Sequence, residues 1–109
     1  MIEPFASVGK SRLYASDICD FLVQYDGRPF DVTITSPPYN LKKEYTGFLD
    51  TLAWEEYLQW IEKWAKLLLE RTSPHGRLCI NVPIDSNLNG HVPFDADITR
   101  VLMDVEWQY

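Results

Sequence analysis

Seven apolar residues, Trp54, Tyr57, Leu58, Ile61, Trp64, Ala65 and Leu68, recur at intervals of three and four along the middle of the chain. Only a helix of about five turns puts them on one side, so a wide apolar stripe there must be covered by other parts of the protein. Asp50 or Thr51 can cap its start, Glu55 and Glu56 suit the positive end of its dipole, and Ser73-Pro74-His75-Gly76 stops it.

What covers that stripe is suggested by its neighbours. Phe30–Thr35 (FDVTIT) is rich in β-branched residues and predicts a strand, and Arg77–Val82 (RLCINV) predicts a second, buried one. Arg12–Ser16 (RLYAS) is a shorter strand candidate closed by Asp17, and residues 1–10 read as a loose lead-in. Ile18–Gln24 has helical spacing, and Tyr25–Pro29 is a turn by its Asp-Gly and Pro content. Asp95 to about Glu106 predicts another helix, with Ile98, Val101, Leu102 and Val105 on one side, after which Trp107-Gln108-Tyr109 follows without a closing turn. Strand and helix alternate three times. That order predicts an α/β fold, a mostly parallel sheet with helices on its faces. Ligands collect at the carboxyl ends of strands in such sheets. Asp17, Ser36-Pro37-Pro38-Tyr39 and residues 81–85 all follow strands and are expected to converge on one edge.

Composition narrows the function classes. The 109 residues are enough for one domain; 46% are apolar and 14% aromatic, which is globular usage. The net charge of −6 lacks the basic footprint of a self-sufficient nucleic-acid binder, so other residues must supply most phosphate contacts if nucleic acid is the substrate. Cys19 and Cys79 form no C-x-x-C pair, which fits two free thiols in a reduced, cytoplasmic setting. No signal core precedes them, no apolar run is long enough to span a membrane, and no Cys/His/Asp cluster has metal-ligand spacing.

Ser36-Pro37-Pro38-Tyr39 carries the chemistry. Each proline fixes its own φ and removes a backbone donor, so the corner is stiff and its carbonyls have no competing N–H groups nearby. What it exposes are acceptors, namely the Ser36 hydroxyl and the carbonyls around Pro37. They suit a partner donating two hydrogen bonds, such as the exocyclic amine of a base. They would also draw its nitrogen lone pair out of conjugation and make it a better nucleophile. Tyr39 adds a flat face for stacking. The plainer alternatives are a strand ending in a Pro-Pro turn, or a polyproline-type docking segment.

The motif resembles the (D/N/S)-P-P-(Y/F/W) signature of the S-adenosylmethionine-dependent DNA methyltransferases that methylate amino groups. The likeness extends along nearly the whole chain. The segment 13–22 (LYASDICDFL) is similar to the one around a Gly-Asp-Cys upstream of the motif. Residues 54–58 and 70–78 resemble the helix and its Pro-Gly-Gly-type exit, and 80–85 resembles the strand that follows. Only 35 residues precede Ser36 and there is no G-x-G, so the resemblance is to the permuted β class, whose glycine-rich cofactor loop follows the catalytic half.

The resemblance implies a partial Rossmann-like methyltransferase fold lacking the glycine-loop half, with residues 1–109 as its catalytic portion. It implies methyl transfer from S-adenosylmethionine to adenine N6 or cytosine N4, without a covalent enzyme–base intermediate. Asp17 and Ile18 would bind cofactor, with Ser36; a helix N-cap for residues 18–24 is the plain alternative for Asp17, and the two roles are compatible. Ser36, Pro37, Pro38 and Tyr39 would be catalytic, with Tyr39 stacking on a base flipped from the duplex. Asn40, Lys42 and Lys43 would meet DNA, although a solvated lysine pair and a corner asparagine are the plain alternatives. Trp54, Tyr57, Trp60 and Trp64 are expected to pack rather than to serve as base platforms. The missing half implies a homo-oligomer or a complementing chain, and no methylation by this chain alone. Two other readings stay open: a non-catalytic interaction module, or a methyltransferase acting on RNA or on a protein amide.

Overall fold

The computed structural model describes residues 2–40, 44–45, 48–49, 53–84 and 92–109. Its strands are β1 (Ala6–Val8), β2 (Ser11–Leu13), β3 (Phe30–Thr35), β4 (Glu44–Tyr45), β5 (Phe48–Leu49) and β6 (Thr72–Ile80). Its helices are α1 (Ile18–Gln24), α2 (Trp54–Glu70) and α3 (Phe94–Asp104). The fold is a small α/β arrangement around one parallel pair, β3 with β6; β1–β2 and β4–β5 are antiparallel hairpins.

The α2 stripe forms as its spacing predicts. Tyr57, Ile61, Trp64, Ala65 and Leu68 are buried, joined by Cys19 and Leu22 from α1 and by Phe94 and Ile98 from α3. Each large side chain buried this way contributes about 1.5–3 kcal/mol relative to exposure. The helix begins after Ala53, which makes no side-chain cap; Asp50 and Thr51 lie outside the described residues. Parallel pairing of β3 with β6 follows from the α2 crossover between them, since a hairpin turn cannot join parallel strands.

Four expectations are corrected. The segment read as a loose lead-in supplies β1, which pairs with β2, so the first strand belongs to a hairpin rather than to the parallel sheet. The Ser73–Gly76 stop is not a free turn. The helix ends at Glu70 and these residues sit inside β6 as a bulge, because Phe30 pairs with Thr72 and Val32 already pairs with Arg77. Ser73 Oγ donates to Asp31 Oδ1 across the bulge (3.0 Å), and a Cβ on Gly76 would come within 2.9 Å of the Phe30 carbonyl. The third correction is the end of α3. It does close, at Asp104 rather than Glu106, in a Schellman motif. Glu106 takes φ +78° and donates to the Met103 carbonyl, Trp107 N donates to Leu102 O, and the Trp107 indole then donates to Ala65 O of α2 at 3.0 Å. Fourth, the described helices do not cover both faces of the sheet. The core lies against Leu78 and Ile80, while the face bearing Val32, Ile34, Arg77 and Cys79 is exposed. Parallel sheets are normally covered on both faces. Among the described residues no helix is long and apolar enough to cross a membrane.

Both cysteines are free, and they differ. Cys79 is exposed. Cys19 is buried, and burial pushes its thiol up, helped by Asp17 and Asp20 and opposed by Lys63. Iodoacetamide at mildly alkaline pH should therefore alkylate Cys79 well before Cys19, read by peptide mass. A raised thiol favours folding fully below the ordinary thiol range and loses that contribution as pH rises through the raised value. Cys19→Ser should accordingly flatten the alkaline fall in stability.

Candidate functional site at the carboxyl end of β3

β3 delivers Thr35 to the proline corner, and β6 delivers Ile80 beside it. The pairing continues one residue further, since Asn81 N donates to Thr35 O at 2.9 Å. This last rung holds the two strand ends together just where the chain turns away. Ser36 is exposed, Pro37 is buried, and Pro38 and Tyr39 are half-buried. Asn40 is only 5% exposed and takes φ +59°, a left-handed conformation that asparagine tolerates better than most residues. With its side chain covered, any contact of Asn40 with DNA would come through the corner backbone. Lys42 and Lys43 lie outside the described residues.

The corner is braced from below. Tyr57 of α2, 1% exposed, donates its hydroxyl to the Pro38 carbonyl, so an acceptor that proline leaves without a local partner is satisfied by a core side chain. Phe94 packs edge-on against Tyr39 (centroids 6.0 Å), Tyr57 (5.6 Å) and Trp54 (5.0 Å), and the Trp54 indole donates to Asp97 Oδ2 at 2.8 Å. Tyr39 thus stands on an aromatic cluster built by α2 and α3. From above, Asn81 Nδ2 reaches Tyr39 Oη at 3.1 Å and Ser36 Oγ at 3.4 Å.

Beside the corner opens a cleft of about 330 Å³, within the range of small-molecule sites. Ile18, Ser36, Pro37, Pro38, Trp60 and Trp64 contribute to its lining. The structure therefore brings Ile18, at the start of α1, to the same cavity as the corner. Asp17 caps α1, its Oδ1 accepting from Cys19 N at 2.8 Å and Asp20 N at 3.3 Å. Its other oxygen has no hydrogen-bond partner among the described residues. Capping thus leaves one oxygen of this carboxylate able to accept a further hydrogen bond. The acceptor hydroxyl of Ser36 and the apolar walls of the cleft, with the Asp17 carboxylate next to Ile18 in sequence, suit a nucleoside with an exocyclic amine, which is the chemistry S-adenosylmethionine presents.

Two features escaped the sequence reading. Trp60 and Trp64, expected only to pack, also line the cleft, and the Trp64 indole N–H is buried without a hydrogen-bond partner among the described residues. Asn81 was visible as a polar residue after a strand, but nothing in its spacing points to Tyr39. Among the described residues, no group of three or more His, Cys, Asp or Glu side chains could hold a metal.

Known proteins resemble this chain over most of its length. The DNA methylase family model matches residues 30–104, from the start of β3 to the end of α3. The chain is 42% identical over 91 residues to the Type II methyltransferase M.MjaVI of Methanocaldococcus jannaschii, covering 83% of this chain and 47% of that protein. It is 33% identical over 115 residues to the Type II methyltransferase M.ScaI of Streptomyces caespitosus, covering 98% of this chain and 36% of that protein. The Type II methyltransferase M.BamHI of Bacillus amyloliquefaciens is 32% identical over 84 residues, covering 75% of this chain and 20% of that protein. No solved structure matches the chain. It spans less than half the length of these relatives. The span of the family match, which includes the whole Ser36–Tyr39 corner and the elements that brace it, makes this chain a member of the DNA methylase family.

Proposed function

We propose that residues 1–109 form the catalytic portion of a site-specific DNA methyltransferase acting on an exocyclic amine, adenine N6 or cytosine N4, and belonging to a partial Rossmann-like sheet. The supporting observation is the shared cleft, lined by both Ile18 and Ser36-Pro37-Pro38. When bound, S-adenosylmethionine would supply an electrophilic methyl group there, with its sulfonium sulfur as the leaving group that departs as a neutral thioether. Asp17 would accept from its adenine amine, and Ile18 would pack against it.

The protein's own residues act on the base. The Ser36 hydroxyl and the Pro37 carbonyl each accept a hydrogen bond from the target amine, which orients its lone pair away from the ring. Pro38 keeps the corner stiff, and its carbonyl is held by Tyr57. Tyr39 stacks on the flipped base. Serine is a poor proton acceptor, so the amine proton leaves to water during or after methyl transfer. Asn40, Lys42 and Lys43 are proposed to meet the DNA beside the corner. The acidic balance means that residues beyond these supply most of the phosphate contacts.

The sheet is open for a partner, either a second copy or a chain carrying the glycine-rich loop, in a cytoplasmic restriction-modification setting. Val32 is 59% and Ile34 80% exposed, and the edge of β3 away from β6 pairs with no strand among the described residues. Such an edge favours association. Sedimentation of the chain alone at micromolar concentration should show self-association, and a clean monomer would count against it. The functional test is transfer of labelled methyl from S-adenosylmethionine to DNA. Transfer is expected when the chain is co-expressed with a second chain bearing the glycine loop, and is absent without it. If labelled methyl reaches RNA or protein amides but no DNA, this reading is wrong.

A further inference from the structure

We propose that Asn81 is a positioning residue for the methyl-transfer corner, which rests on the function proposed above. It would fix which way the Ser36 and Tyr39 hydroxyls face. The backbone of Asn81 is set by the last rung of the β3–β6 ladder, at 2.9 Å from the Thr35 carbonyl. From there its side-chain nitrogen touches Tyr39 Oη at 3.1 Å and Ser36 Oγ at 3.4 Å. An amide NH2 has two hydrogens and no lone pair. One hydrogen serves each oxygen, and both hydroxyls act as acceptors toward Asn81.

Two consequences follow. Ser36 Oγ has one lone pair committed to Asn81, so the other is the one turned to a target amine. Tyr39 is held at two points, by its hydroxyl at Asn81 and by its ring edge at Phe94, so its face is pre-set for stacking. Both contacts cross more than forty positions of sequence, and neither exists without the parallel pairing of β3 with β6.

Aspartate has the same shape as asparagine but, when ionised, only accepts. Asn81→Asp therefore reverses the polarity of both contacts, whereas Asn81→Ala removes them. In the two-chain assembly, Asn81→Ala should lower kcat about ten- to a hundredfold, with KM for S-adenosylmethionine within about twofold. Asn81→Asp should add to the pH profile of kcat an inflection in the carboxylate range that the parent protein lacks. In this chain labelled with 13C at the tyrosine ring, the Tyr39 Cζ resonance should move in both variants and stay put in Thr99→Ala. An active parent assembly whose kcat is unchanged by Asn81→Ala overturns the proposal, as does an unmoved Tyr39 resonance. A parent assembly that transfers no methyl to DNA overturns instead the functional reading on which it rests.

Discussion

Ser36→Ala should lower kcat for methyl transfer about 100- to 1000-fold in the assembled enzyme, the usual loss when one oriented hydrogen-bonding group at a reaction centre is removed. The side chain is exposed and its one hydrogen bond among the described residues is the 3.4 Å contact from Asn81, so the change should leave folding within about 0.5 kcal/mol of the parent. Loss of rate without loss of structure is thus the expected signature, read by labelled-methyl transfer beside thermal melting. The Pro37 carbonyl and the Tyr39 face remain, so the residual rate should stay above that of the uncatalysed reaction. Ser36→Asp, which restores an acceptor, should recover part of it. If Ser36→Ala keeps full activity, the corner is ancestry or scaffold, and the reading as a non-catalytic interaction module gains.

Phe94→Ala is expected to be the most damaging single change to the fold, at about 3–5 kcal/mol by urea denaturation. Phe94 is fully buried, and its ring meets Trp54, Tyr57 and Tyr39 at once. Removing it opens a void that none of the three can fill without abandoning a hydrogen bond: Trp54 to Asp97, Tyr57 to Pro38, or Tyr39 with Asn81. A small domain has only about 5–15 kcal/mol of stability in all, so this loss would take a large fraction of it. By contrast Val32→Ala, on the bare face, should shift urea stability by less than about 0.5 kcal/mol when measured at a dilution where the chain is monomeric. Equal losses for the two would mean that the exposed sheet face is covered in solution.

The same aromatic cluster links stability to chemistry. Tyr57 looks like one more residue of the α2 stripe, and its ring does pack there. Its hydroxyl, however, ends on the carbonyl of a motif proline nineteen positions away. A core residue therefore sets the shape of the corner, and damage to the core should be felt at the site.

The sequence by itself determined the elements whose information is local. The 54–68 stripe, the β-branched run of β3, the Asp17 cap and the Ser36–Tyr39 corner are each written in residues that lie within a turn or a strand of one another. Periodicity and proline geometry act over that range. Only the tertiary structure decided what depends on pairing. Residues 6–8 became a strand because 11–13 lay opposite, and Ser73–Gly76 became a bulge because β3 held register on both sides of it. Trp107 became an anchor because the Ala65 carbonyl lay within reach. Asn81 joined the corner because two strands separated by a helix ended side by side. Contacts between residues forty positions apart leave no local pattern, since the physics that makes them is packing and strand pairing.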